Sequence, residues 1–149
     1  MSLLKQIDED LIKALKGGDK EKTLTLRGLK SDIRYYTIDK KIKDASDDDV
    51  IAVLSRAAKK RRDSIEQFKL GKRDDLVAKE SNELSIIEAY LPAKMSAEDL
   101  EQIIKDTIAE VGAETTSQMG LVMKAVMPKV AGQADGKEIK DIVTKLLAG

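Results

Sequence analysis

"MGLVMKAVMPKVAGQADGKEIKDIV", residues 119–143, is the stretch on which the fold class turns. Met119, Val122, Met123, Val126, Met127 and Val130 recur at i, i+3, i+4 spacing, and Ile139, Ile142 and Val143 begin a second such row. Three glycines interrupt the rows, although each weakens a helix by roughly 1 kcal/mol relative to alanine. Gly132 falls just past the last periodic residue and suits the left-handed conformation that closes a helix. Asp135 is then the expected N-cap of the next helix, with Glu138 reaching back. Gly136 occupies its first position, where a missing side chain admits another backbone. Gly120, near the start of its helix, would allow a close crossing. The other account of the same residues is a helix N-terminus that holds a phosphate, flanked by Lys129 and Lys137. A capping Asp135 opposes that account, because it occupies an amide and repels an anion.

The pattern extends in both directions. Leu100, Ile103, Ile104, Ile108 and Val111 precede it and Leu146 and Leu147 follow, so the last third of the chain reads as three short helices. Ser96 with Asp99 forms a capping-box start, and Pro92 in "LPAKMSAEDL" marks a junction. Upstream, Leu3, Leu4, Ile7, Leu11, Ala14 and Leu15 make one face that Gly17-Gly18 ends. Asp19 caps a second helix expected to run to about Lys43. Ser46 or Asp47 caps a third, from about 47 to 70, whose acidic start suits the positive end of the helix dipole. Gly71 closes it, and "KRDDLVAKESNELSIIEAYL" supplies a fourth that stops before Pro92. No strand pattern occurs. The expectation is an all-α protein, with an N-terminal helical domain at 1–93 and a C-terminal three-helix bundle at 94–149.

Composition agrees with this. Apolar residues make up 42% of the 149 and charged residues 36%, a balance that favours a packed fold with a heavily charged surface over disorder. Neither cysteine nor histidine is present, which excludes disulfides, Cys/His zinc sites and any Ser-His or Cys-His nucleophile pair. Catalysis would rest on Asp, Glu, Lys, Tyr, Ser or Thr. Asp74/Asp75, Glu80/Glu83 and Asp47/Asp48/Asp49 read as helix starts and surface charge, with no calcium-loop spacing. No metal and no cofactor is expected. No apolar run approaches the roughly 20 residues that span a bilayer, so the expected setting is cytoplasmic, without a membrane partner. The net charge of zero divides into +3 over residues 1–94 and −3 over 95–149. That asymmetry is too mild to name a polyanion partner by itself.

Three stretches carry a family resemblance: "TLRGLKSDI", "KKRRDSIEQFKLGKRDDLVAKESNELSIIEAYLP" and "MGLVMKAVMPKVAGQADGKEI". Together they resemble the GatB/YqeY family, and the free-standing YqeY-like members from end to end. The third resembles the tail domain of the B subunit of tRNA-dependent amidotransferase, which contributes to tRNA binding there. The amide-transfer chemistry of that enzyme lies in other domains and subunits. The resemblance therefore implies a non-catalytic tRNA-binding or amidotransferase-associated accessory protein. Two positions depart from the family: Leu121, where lysine is frequent after the glycine, and Lys140, where asparagine is frequent.

Basic residues give that implication a place. On a wheel of about 100° per residue, Lys20, Arg27, Lys30, Arg34 and Lys41 share one arc of the second helix, beside the apolar arc of Leu26, Leu29, Ile33 and Tyr36. A one-sided row of this kind fits consecutive phosphates; the alternative is a solvated face pairing with its neighbours. Tyr35, next to Arg34, is a candidate for stacking on an unpaired base, whereas Tyr36 points to the core. Lys124, Lys129, Lys137 and Lys140 are the corresponding candidates in the C-terminal part. In "KKRR" (59–62), Lys59, Lys60 and Arg62 read as solvated. Arg61 sits among Val50, Leu54, Ala57, Ala58, Ile65 and Phe68 and so requires a carboxylate from a neighbouring helix or a direct RNA contact. Met119, Met123 and Met127 read as core, with Met95 beside them.

The leading expectation is a protein that binds tRNA or structured RNA, with an amidotransferase or translation-related protein as possible companion. The second is a helical protein-interaction adaptor that binds no RNA. The weakest is a carbon–nitrogen ligase with glutamine as amido donor.

Overall fold

Side-chain caps set the starts of four of the first five helices. Ser2 accepts from Lys5 N (3.2 Å), Asp19 from Lys22 N (3.1 Å), Ser46 from Asp49 N (3.1 Å) and Ser96 from Asp99 N (3.1 Å). The computed structural model describes residues 1–130 and 133–148. Among them the fold is all-α, with helices α1 (Leu3–Gly17), α2 (Lys20–Lys40), α3 (Asp47–Leu70), α4 (Asp74–Glu88), α5 (Ala97–Val111), α6 (Met119–Val126) and α7 (Gly136–Ala148) and no strand. Gly18 closes α1 at φ 72° and Gly112 follows α5 at φ 67°, left-handed positions that glycine takes without a Cβ penalty.

α2 stops short of the expected Lys43. Lys41 turns left-handed (φ 56°), and Ile42 N donates to the Thr37 carbonyl at 3.0 Å. That closure brings Ala45 against the core of α1–α4. α4 is also shorter than its sequence stretch: Arg73 N donates to Phe68 O (2.9 Å) to finish α3, and Tyr90 N to Ile87 O (3.0 Å) to finish α4. α6 gives way after Val126 to a 3-10 segment, Met127–Val130. Pro128 has no N–H for an α-helical bond, so the tighter turn takes over. Val130, four residues after Val126, is buried, whereas Met127, about 100° round the helix from Val126, is exposed, which corrects its assignment as core.

Two compact units result, Met1–Leu91 and Pro92–Gly149. In the first, Ile7 from α1, Leu26, Leu29 and Ile33 from α2, Leu54 from α3 and Ile87 from α4 are buried together. In the second, Leu100 and Ile104 from α5 meet Val122 and Val126 from α6, Val130, and Ile139 and Val143 from α7. Most residues of each expected apolar face are buried, at roughly 25 cal/mol per Å² of apolar surface removed from water, but Leu15 at the end of the α1 face is 48% exposed, which corrects its place there.

The glycines of residues 119–143 need a different account. A Cβ at Gly120 or at Gly136 meets nothing within 4 Å, so neither residue serves a close helix crossing or backbone approach within the fold. Both keep helical backbone in open space. The closure expected at Gly132 lies outside the described residues. Asp135 does start α7: Lys137 N donates to its Oδ1 (3.3 Å) and Ile139 N to its carbonyl (3.0 Å). Glu138 Oε2 lies 3.8 Å from Lys94 Nζ.

Candidate nucleic-acid interface

α2 carries the most chemistry in the first unit because only one of its faces is buried. Leu26, Leu29 and Ile33 fill the core, so the opposite arc is left to solvent. Lys20, Arg27 and Arg34 are exposed there. Lys30 leans toward α1, with Nζ 2.6 Å from Asp8 Oδ1, and is already neutralised. Lys41 sits at the left-handed cap beyond the helix and leaves the register of the row. Of the five cations expected on one arc, Lys20, Arg27 and Arg34 remain on it, with no ion pair among the described residues.

Packing adds cations that the α2 pattern does not contain. The reversal after Lys41 swings Lys43 toward Lys30 and Arg34, around a shallow groove of about 410 Å³ that Leu4, Thr37 and Asp44 also line. A second groove, of about 380 Å³, lies between α2 and α3. Tyr35 and Tyr36 line it from α2, and Arg56 and Lys60 from α3. Val53 and Ala57 contribute apolar surface, while Asp32 and Asp39 make its charge mixed. Tyr35 is 74% exposed, so its ring is open for stacking. Tyr36 packs against the core, and its hydroxyl donates to Asp49 Oδ1 at 3.2 Å. Burial first, and then the Asp49 carboxylate, raise its ionisation above the ordinary tyrosine range.

Lys43, Arg56 and Lys60 were not among the candidates. Lys43 is hidden because the helix pattern gives no sign of the reversal. Arg56 and Lys60 belong to a different helix, so no α2 spacing can connect them to Tyr35.

The basic run on α3 divides as its geometry requires. Lys59, Lys60 and Arg62 are exposed, with Arg62 Nη2 3.2 Å from Glu88 Oε1. Arg61 is held inside, its Nε 3.3 Å from Glu83 Oε2 on α4 and its Nη1 donating to Ala57 O at 3.1 Å. Arg61 is therefore a helix-to-helix tie.

In the second unit Lys124, Lys137 and Lys140 are exposed. Lys129 is engaged: Nζ donates to Thr107 Oγ1 (3.0 Å) and Glu110 Oε2 (2.8 Å) on α5. Leu121, at the position where the family often has lysine, is half-exposed. Among the described residues, no cluster of three or more acidic side chains is arranged to hold a metal ion. Nor is any described helix long and apolar enough to cross a membrane.

Comparison with known proteins gives a consistent result. The sequence profile of the Yqey-like protein family matches residues 4–147. Altered inheritance of mitochondria protein 41, mitochondrial, of Kluyveromyces lactis is 31% identical over 136 residues, covering 90% of this chain and 72% of that protein. Its Saccharomyces cerevisiae counterpart is 32% identical over 141 residues, covering 93% and 72%. That of Lachancea thermotolerans is 38% identical over 85 residues, covering 57% and 46%.

Proposed function

The chain belongs to the YqeY-like family, and on that premise we propose that it is a non-catalytic accessory protein that binds tRNA or a related structured RNA. An amidotransferase or another translation-related protein is its companion in this reading. The observation that carries it is the row of free cations Lys20, Arg27 and Arg34 on the solvent face of α2, with the open ring of Tyr35 beside it. Cations aligned along a helix neutralise successive phosphates and release their counterions, while an exposed ring accepts an unpaired base. Lys124, Lys137 and Lys140 give the second unit its own contact surface. A cytoplasmic address belongs to this reading; the mitochondrial address in the yeast relatives' name is the competing one, and cell fractionation separates them.

The test is fluorescence anisotropy of labelled total tRNA with the purified protein across a salt series. Micromolar or tighter binding that weakens steeply with salt supports the reading, and a shallower slope for R27E/R34E locates it on α2. Absence of binding at low salt refutes it. A second reading, a protein-interaction adaptor, is favoured by the exposed Leu24, Tyr35 and Ile38 on the same helix. It calls for binding that depends on these side chains and varies little with salt. Amide transfer from glutamine is the weakest reading, and an assay of the isolated protein for that activity tests it.

A further inference from the structure

The solvent face of α2 has a second regularity that phosphate binding does not use. Leu24, Gly28, Ser31, Tyr35 and Ile38 follow one another at alternating steps of four and three, the spacing of a coiled-coil seam. This seam faces away from the core: Leu24 is 68% exposed, Tyr35 74% and Ile38 64%. Gly28 lies in the helix interior, and a Cβ there meets nothing within 4 Å, so the fold itself draws no packing benefit from its being glycine. With Ser31 it lowers the middle of the seam, where a second helix can come close.

The charges beside the seam specify the occupant. Arg27 and Arg34 repeat at seven on one flank, Asp32 and Asp39 at seven on the other, and all four are exposed. Among the described residues none of the four takes part in an ion pair. In a parallel pair of helices, a residue on the first flank faces the residue five positions later on the partner's second flank. Arg27 then meets Asp32 of the second copy, and Arg34 meets its Asp39, twice over by symmetry. In an antiparallel pair, arginine faces arginine and aspartate faces aspartate. The pattern is complementary to itself in one orientation only.

We propose that the α2 solvent face is a self-association surface, on which a second copy of this chain docks its own α2 in parallel and in register. With 21 residues, α2 is about 31 Å long and supplies three heptads, enough for a reversible dimer. The proposal stands apart from the RNA reading. Because both draw on Arg27 and Arg34, RNA and the second copy exclude one another on this face.

The experiment uses the full chain freed of nucleic acid, followed by sedimentation velocity at rising concentration and low salt. A sedimentation coefficient that climbs with concentration is expected. R27D/R34D should weaken self-association by roughly tenfold or more, since it turns four attractions into repulsions. Adding D32R/D39R to that variant should restore it. Orientation is read by disulfide trapping, which the absence of native cysteine makes clean. L24C and I38C should each oxidise to a dimer with its own kind in a parallel pair. Trapping only of L24C with I38C means an antiparallel pair and overturns the proposal. A monomer at every concentration, or a dimer indifferent to R27D/R34D, overturns it equally.

Discussion

The Tyr90 hydroxyl donates to Asp10 Oδ2 at 2.5 Å, joining the end of α4 to the middle of α1 across 80 residues of sequence. Tyr90 and Asp10 are both half-buried, so water competes weakly for the bond. It ties the last helix of the first unit to the first. We expect Y90F to lower unfolding stability by about 1–2 kcal/mol with little change of fold, as read by urea denaturation.

The same pair sets an alkaline limit. Burial, and then the Asp10 carboxylate, push the Tyr90 ionisation well above the ordinary range near 10. A raised folded-state pKa contributes stability that is fully present below the unfolded value and is lost as pH rises through the folded one. Absorbance titration of tyrosinate should therefore show a late phase to which Tyr90 and Tyr36 both contribute, the Tyr90 part coming together with unfolding. In Y90F the late phase should shrink to the contribution of Tyr36.

At the acid end the group to watch is Asp49. Hydrogen bonds from the Ser46 amide and hydroxyl, both 2.9 Å, hold its carboxyl below the usual carboxylate range. A depressed pKa adds stability above the unfolded value that is lost as pH falls through the folded one. Melting temperature measured from pH 6 downward should fall less steeply in D49N than in the parent, from a lower starting point.

Arg61 should behave as structure. R61A leaves Glu83 half-buried without its cation and takes the second donor from the Ala57 carbonyl, costing about 1–3 kcal/mol. Replacing Arg61 and Glu83 together by Met and Leu should recover part of that loss in the same denaturation assay. The affinity of folded R61A for tRNA should stay within error of the parent; a loss as large as that of R27E/R34E would make Arg61 a contact residue.

Glycine substitutions separate the two kinds of glycine in the chain. G28A fills empty space on a helix and should raise stability by about 0.5–1 kcal/mol. G18A forces a side chain into a left-handed position (φ 72°) and should lower it by about 1 kcal/mol or more. Thermal melts of both variants test the contrast.

Helix identity and the starts at Asp19, Ser46, Ser96 and Asp135 were readable in the residues themselves, because both are local. An N-cap acts within three residues, and an apolar face repeats within four. Ser2 escaped notice for the same reason that Lys41 did: a cap is visible only when a known breaker or capping run announces it. Lys41 turns left-handed with no glycine or asparagine to signal it, and Met127 stands at the edge of its apolar arc and stays in solvent. The candidate site fared less evenly. Arg27 and Arg34 stand on the surface as their wheel positions required, whereas Lys30 and Lys129 spend their charge on Asp8 and Glu110.

That division has a physical basis. Periodicity settles which side of a helix avoids water, and so the all-α class and most of the core residues follow from the order of amino acids alone, Leu15 and Met127 excepted. It cannot say which carboxylate a lysine will reach or which helices will share a groove, since those depend on how helices far apart in sequence settle against one another. The pairing of Arg61 with Glu83, the meeting of Tyr35 with Arg56 and Lys60, and the leaving of a whole apolar seam on α2 in solvent were settled at that stage. The free energy of packing is non-directional, and it places charges only after it has placed the helices that carry them.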